Sequence, residues 1–231
     1  MEMNRIYQGD TKIRGDRFDF INFRRYLHYP AEQILPDNIT GFLNSSLLPL
    51  LEDTQIAYQF KILSVVKLDA RQHRIELSGQ KYLRGPVIYN LLKNCDRVVV
   101  HIISMKGMNF EDDWQTFVSY CFNNTLIQTS SDELRRKVID HLAIPSVQLT
   151  QRYAPGYCGW PLNDQEALLS ILTPESIGVI RMENSLTLQP EHTITGIYGV
   201  RRKAKILEKM PCYTCTSISC GVHFDFIKEI K

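Results

Sequence analysis

One run of β-type residues constrains the fold of this chain more than any other feature of its sequence. Residues 97–105 read Arg-Val-Val-Val-His-Ile-Ile-Ser-Met, an almost continuous series of apolar, mostly β-branched side chains. A run without regular apolar–polar alternation is typical of a strand that is buried on both faces. We therefore predict a central strand whose sheet is covered on both sides. We interpret His101, within this strand, as a core histidine with satisfied hydrogen bonds, while a ligand role stays open as the alternative.

Other segments have the two-residue period that marks a strand with one buried face. Apolar and polar side chains alternate over residues 56–62, and a polar turn at 69–71 separates this segment from Ile75 and Leu77. This arrangement is typical of a β-hairpin. Residues 179–182 and 193–200 predict two more strands.

Start signals for helices occur between these strands. Apolar residues at helical spacing follow Asp37, and Pro49 is expected to kink or shorten that helix because proline lacks a backbone donor. The other predicted helix starts are Gly85-Pro86, an N-cap at Asn109, and capping boxes at Ser130 with Glu133 and at Asn163 with Glu166.

Helices and strands thus alternate along the chain, with hairpin-like pairs near both ends and no internal repeat. We predict the α+β class, as a single domain with a mostly antiparallel or mixed sheet and flanking helices. The domain would span residues 1–231 and include a cysteine-rich C-terminal tail at 206–231.

The charge balance argues against two classes of partner. Lys and Arg number 27 against 25 Asp and Glu, which gives a formal net charge of +2. Binding of nucleic acid through its phosphates, or of an anionic membrane surface, favours a larger basic excess. No apolar run approaches the ~18 residues of a membrane-spanning helix, and residues 1–6 lack the apolar stretch of a secretory signal. We therefore expect a soluble, cytoplasmic protein that binds neither nucleic acid nor membrane.

A rigid loop between two predicted helices carries the best candidate binding residues. Residues 151–162 read Gln-Arg-Tyr-Ala-Pro-Gly-Tyr-Cys-Gly-Trp-Pro-Leu, in which two prolines and two glycines restrict the backbone path. The guanidinium of Arg152 could bind a carboxylate or phosphate through two parallel hydrogen bonds. A neighbouring aromatic face could contact a cation or a heterocycle, and Gly156 would let a ligand approach the main chain. An ordinary turn whose Trp and Tyr fill the core remains the alternative.

The segment Arg-x-Ala-Pro-Gly-Tyr at residues 152–157 resembles the S-adenosylmethionine signature of the activation (reactivation) domain of cobalamin-dependent methionine synthase. The continuation through Gln165 looks like that of free-standing relatives of the domain, and residues 193–199 also fit. The resemblance implies a helper that holds S-adenosylmethionine over cobalamin presented by a partner, a corrinoid-binding methyltransferase. A reductase such as flavodoxin or ferredoxin would supply one electron, so that inactive cob(II)alamin is methylated again.

The same resemblance implies roles for individual residues. Arg152 would bind the methionine carboxylate, main-chain groups of Ala154 and Gly156 would approach the donor, and Tyr157 would lie against the donor or the corrin edge. A plain core aromatic is the alternative for Tyr157. The implied cofactor-binding residues are thus Arg152, Ala154, Pro155, Gly156 and Tyr157.

The sequence departs from the family pattern near its start, and the resemblance has a consequence for catalysis. Family members carry an acidic residue near the start that holds the donor's amino group, and here only Asn22 lies in roughly that region. No catalytic side chain is expected, because the cobalt and the sulfonium supply the reactivity and the protein supplies binding and orientation. The chain would then be an accessory part of a methyltransferase, without autonomous activity.

A cysteine cluster near the C-terminus is the second candidate site. Cys212-x2-Cys215-x4-Cys220-x2-His223 could hold zinc, with the histidine as a fourth ligand, or the three thiolates could hold an iron–sulfur cluster. Reduced structural thiols or a labile disulfide remain open. If metal is bound, an alternative function is a non-catalytic scaffold or electron relay that docks on a corrinoid protein.

Overall fold

The sheet at the centre of the molecule is antiparallel at every pairing between the described strands. The computed structural model describes residues 5–30, 33–157, 159–183 and 185–201; the tail at 206–231 lies outside them. The strands are β1 (Ile6–Thr11), β2 (Ile56–Asp69), β3 (Arg74–Leu77), β4 (Lys81–Arg84), β5 (Arg97–Met105), β6 (Gln148–Leu149), β7 (Ile180–Arg181), β8 (Leu188–Gln189) and β9 (His192–Arg201). The helices are α1 (Phe20–Tyr26), α2 (Asp37–Phe42), α3 (Pro86–Leu92), α4 (Asp113–Leu142) and α5 (Gln165–Leu169).

Strand β5 occupies the middle of the sheet order β4-β3-β2-β5-β9-β6. It pairs with β2 on one side and β9 on the other over almost its whole length, while β1 pairs with the first part of β2. Alternate β5 residues point into two separate hydrophobic clusters, one built with α1 and α4 and the other with α3 and α5. The prediction of a strand covered on both faces is confirmed, and so is the α+β class with flanking helices.

Helix α4 differs from the prediction, because it is one helix of 30 residues. Its N-cap is Asp112, whose carboxylate accepts a hydrogen bond from the Gln115 amide at 3.0 Å, and not Asn109. Ser130 and Glu133 lie inside this helix, so the capping box predicted there is wrong.

The buried face of α4 is rich in serine and threonine, which explains the wrong prediction. The hydroxyls of Thr125, Thr129 and Ser130 donate to the carbonyl four residues earlier, at 2.9, 2.9 and 2.6 Å. These bonds satisfy the hydroxyls inside the helix, so polar residues that favour caps in isolation can be buried here.

Helix α1 packs against α4 through an aromatic cluster. The rings of Phe18 and Phe122 are stacked at 4.7 Å between centroids, and Phe23 meets Phe122 edge-on at 6.1 Å. At one end of this contact, Arg17 forms an ion pair with Glu133 at 2.6 Å. At the other end, the Cys121 thiol donates to the Tyr26 carbonyl at 3.4 Å. The two helices therefore run in opposite directions, which places the start of α1 beside residues 132–133.

Three smaller predictions have mixed outcomes. The helix that begins at Asp37 changes to a π-helix at Leu43 and to a 3-10 helix at Leu48, in agreement with the expected effect of Pro49. Asn163 lies within a 3-10 turn and makes no side-chain cap for α5, so that capping box is wrong. Within 179–182 only Ile180–Arg181 is a strand, paired with β8 outside the main sheet. None of the described helices combines the length and apolarity needed to span a bilayer.

Candidate functional site

The loop at 151–162 is fixed to the central sheet. Tyr153 exchanges two backbone hydrogen bonds with Ile197 of β9, at 3.1 and 2.8 Å. The Tyr153 ring is buried and stacks on the buried Trp160 ring. Gly156 has φ +91°, a conformation that disfavours any residue with a Cβ, and its amide donates to the Trp160 carbonyl at 2.8 Å. The backbone path is therefore held by the sheet and by internal hydrogen bonds.

Arg152 and Tyr157 lie on the same side of this loop. The guanidinium carbon of Arg152 is 6.0 Å from the centroid of the Tyr157 ring, within the range of a cation–π contact. Tyr157 is 48% exposed, so its interpretation as a core aromatic is wrong. The core interpretation instead fits Tyr153 and Trp160, whereas Tyr157 is exposed and Arg152 is half-buried.

One edge of the Arg152 guanidinium has no hydrogen-bond partner among the described residues. Nη2 donates to Oε1 of Gln128 on α4 at 3.2 Å, whereas Nη1 is buried and unpaired. Buried charged donors without a partner are uncommon and costly in folded proteins. Nη1 therefore keeps donor capacity that none of the described residues uses and that an anion reaching it could satisfy.

Tyr26, at the end of α1, joins the same cluster. Burial raises the pKa of Tyr26, the nearby Tyr157 acts in the same direction, and a hydrogen bond with Gln128 opposes both. Helix α1, helix α4 and the loop thus meet around the guanidinium of Arg152.

Two carboxylates near this cluster were not found by sequence reasoning. Asp19 caps α1 by accepting from the Asn22 amide at 3.0 Å, and its other oxygen accepts from the Asn22 side chain at 2.6 Å. Asp132 lies within electrostatic range of both Arg152 and Asp19. Partial desolvation raises the pKa of Asp132, although its side chain still contacts solvent.

Signals for these two carboxylates were present in the sequence. An Asp at the N-cap of a helix, three residues before an Asn, is a recognisable start signal. Asp132 is four residues beyond Gln128, so both lie on one face once α4 is known to be continuous. The wrong helix break at Ser130 hid this relation.

Residues 154–156 of the loop differ in their exposure to solvent. Ala154 and Pro155 are buried, and the Ala154 carbonyl accepts from the Tyr157 amide at 3.2 Å. Gly156 remains exposed, with its amide already bonded within the loop. Cys158 lies outside the described residues.

His101 lies behind Arg152, in the core between the sheet and α4. It is fully buried and stacks on the Tyr198 ring at 4.8 Å, yet neither ring nitrogen has a hydrogen-bond partner among the described residues. The core location is confirmed, but the interpretation as a satisfied histidine is wrong. Burial lowers the pKa of His101 well below its usual value, and the positive charge of Arg152 adds to this effect.

The neutral state of His101 predicts a pH dependence of stability. The unfolded chain protonates this histidine near pH 6.5, whereas the folded protein resists protonation. Below that pH the unfolded state binds more protons, so the free energy of unfolding falls as the pH is lowered, by at most about 1.4 kcal/mol per pH unit from this group. We expect His101→Gln to have a shallower dependence in urea unfolding between about pH 7 and about pH 5.

His192 serves as the internal reference for that measurement. Burial also lowers its pKa, so it contributes in the same direction, and it is present in both proteins. An identical pH dependence in the wild type and in His101→Gln would contradict the prediction.

The predicted metal ligands Cys212, Cys215 and Cys220, with His223, lie outside the described residues. Within the part of the chain that the structure describes, no group of three or more metal-ligating side chains is present. The metal site therefore stays a prediction: anaerobically purified protein should contain stoichiometric zinc or iron, and Cys212→Ser together with Cys215→Ser should remove it. The matched control is Cys121→Ser, a change at a buried thiol in α4. Folded wild-type protein without metal would contradict the prediction.

The fold is that of an α+β domain in which helices flank an antiparallel sheet. In particular, the chain is similar to the crystal structure of the MetH reactivation domain bound to AdoHcy, with a TM-score of 0.62. The match covers 88% of this chain and 81% of that chain at 12% sequence identity, so it establishes the fold. No protein-family model matches the sequence, and no curated protein matches it significantly.

Proposed function

We propose that this chain binds S-adenosylmethionine beside Arg152 and serves as the reactivation module of a cobalamin-dependent methyltransferase of the methionine synthase type. The chain would position the methyl donor, and a separate protein would present the corrinoid. The fold supports this proposal, since the similar reactivation domain was crystallised with AdoHcy, the product that remains after methyl transfer.

The unpaired, buried Nη1 of Arg152 is the observation that carries the proposal. The methionine carboxylate of the donor would accept from this edge, which removes the cost of leaving a charged donor unsatisfied. Tyr157, in contact with the same guanidinium, would then lie along the donor. Gly156 would allow the donor to approach the main chain from the exposed side of the loop.

The carboxylates of Asp132 and Asp19 complete the proposed recognition of the amino acid group. The donor's ammonium requires an anionic partner, and Asp132 lies near Arg152 on the neighbouring helix. An ammonium bound there would also offset the repulsion between the two carboxylates. These two residues are therefore proposed to fill the role for which the sequence offered only Asn22.

A row of aromatic side chains borders the proposed site and would face the partner. Tyr157 and Tyr120 are each about half exposed, and both lie near Tyr26. Exposed aromatic surface beside a polar site suits a large, flat, partly apolar ligand such as a corrin ring. A corrinoid presented by the partner would supply the cobalt that accepts the methyl group, a one-electron reductant would supply the electron, and S-adenosylhomocysteine would be the leaving group. Alignment of the two reactants could contribute up to about 7–11 kcal/mol to the rate.

Calorimetric titration of the full chain with S-adenosylhomocysteine tests the donor site. We expect saturable binding that Asp132→Asn weakens about tenfold, because a charge-assisted contact becomes a neutral one. Asp140→Asn, an exposed change further along α4, is the matched control and should leave affinity unchanged. Absence of saturable binding to both S-adenosylhomocysteine and S-adenosylmethionine would overturn the proposal.

The second half of the proposal has its own test. Methyl-labelled S-adenosylmethionine, a cob(II)alamin-loaded corrinoid methyltransferase and a low-potential chemical reductant are incubated with and without this chain. We expect labelled methylcobalamin to form faster when the chain is present. Equal rates would overturn the reactivation role while leaving the donor site intact.

A further inference from the structure

His101 and Arg152 approach one another across Gly196 of β9. The backbone of Gly196 pairs with that of His101, and a Cβ at this glycine would lie 2.9 Å from Nε2 of His101 and 3.2 Å from Cγ of Arg152. Such distances are shorter than ordinary van der Waals contact. The absence of a side chain at position 196 therefore allows the imidazole and the arginine stem to occupy neighbouring positions.

The surroundings of His101 give its ring little freedom to move. Tyr198 stacks on one side of it, and the Tyr198 hydroxyl is bonded to Ser131 of α4 at 2.9 Å. Among the described residues, the Arg152 guanidinium is the charged group that acts electrostatically on the imidazole. A protonated imidazole would repel this guanidinium, so the neutral ring is the form that allows both side chains to remain in place.

We propose that His101 is a positioning residue for Arg152: its neutral ring, held by Tyr198, supports the arginine stem and directs the Nη1 edge towards a ligand carboxylate. This inference rests on the proposed function, because it concerns the same donor site. His101 itself does not touch the ligand. It acts by limiting the conformations of Arg152 before the ligand arrives, which reduces the entropy lost on binding.

The experiment compares two ligands that differ in the group that Arg152 would bind. S-adenosylhomocysteine carries the amino acid carboxylate, whereas 5′-methylthioadenosine lacks the amino acid group altogether. We expect His101→Val to weaken binding of S-adenosylhomocysteine about tenfold while the affinity for methylthioadenosine changes less than about twofold. A β-branched residue suits this strand, so the variant should fold.

Two further variants separate positioning from general core damage. His101→Gln, similar in volume and always neutral, should restore most of the affinity for S-adenosylhomocysteine. Ile103→Val, on the same buried face of β5, should lower stability without changing the ratio of the two affinities.

Each outcome has a distinct meaning. Wild-type protein that fails to bind S-adenosylhomocysteine overturns the proposed function and this inference with it. Wild-type binding with an unchanged affinity ratio in His101→Val overturns the inference alone. If His101→Val does not fold, His101→Gln decides: we expect both of its affinities to stay close to those of the wild type, and an equal loss of affinity for the two ligands would overturn the inference.

Discussion

Arg152→Ala is expected to weaken binding of S-adenosylhomocysteine by roughly 100-fold, or about 3 kcal/mol. The reason is that the variant removes the charged, partly buried guanidinium and leaves the ligand carboxylate without its partner. Arg152→Lys retains the positive charge but loses the planar fork, so we expect it to recover only part of the affinity. Calorimetric titration of the three proteins measures both effects.

Arg181→Ala is the matched control for this prediction. Arg181 forms an ion pair with Glu166 and lies in the small β7–β8 sheet at the surface. Its replacement should leave the affinity within about twofold, because exposed ion pairs contribute little. Equal affinity of wild type and Arg152→Ala would remove Arg152 from the donor site.

Phe122→Ala is expected to have the largest effect on stability, a loss of roughly 3–5 kcal/mol in the free energy of unfolding. The ring is fully buried and contacts both Phe18 and Phe23, so its removal leaves a cavity where α1 meets α4. Urea unfolding followed by circular dichroism measures the change.

The same helix provides the control. Phe117 is half exposed, and Phe117→Ala should change the free energy of unfolding by less than about 0.5 kcal/mol. Phe122→Ala should also weaken binding of S-adenosylhomocysteine, because Asp19 and Tyr26 reach the proposed site from α1. A loss of stability no greater than that of Phe117→Ala would contradict the packing described for these helices.

Local sequence patterns were sufficient to predict the central strand and the rigid loop at 151–162. The bounds of β5 agree with the predicted run because burial on both faces demands continuous apolar residues. The proximity of Arg152 and Tyr157 also follows from local sequence, since proline and glycine restrict the short segment that joins them.

The features that were predicted wrongly or missed depend on tertiary contacts. Ser130 suggested a helix start because the sequence does not reveal that its hydroxyl bonds to Leu126 inside a longer helix. Asp19 joins Asp132 and Gln128 only when α1 packs against α4, and the sequence spacing does not determine that packing. His101 illustrates the same limit, because its unpaired nitrogens are a property of its neighbours.

The two-hydrogen-bond bridge between Tyr153 and Ile197 has a consequence for dynamics. It links the loop to β9, a strand whose backbone amides should exchange with solvent more slowly than most others in the molecule. Detaching the loop would break both hydrogen bonds on the outer side of β9 and expose the buried, stacked rings of Tyr153 and Trp160, so the free protein should already hold the loop backbone in the shape described here. A ligand should then bind to a loop whose backbone is already formed, and its binding should leave the protection of the loop amides from exchange almost unchanged.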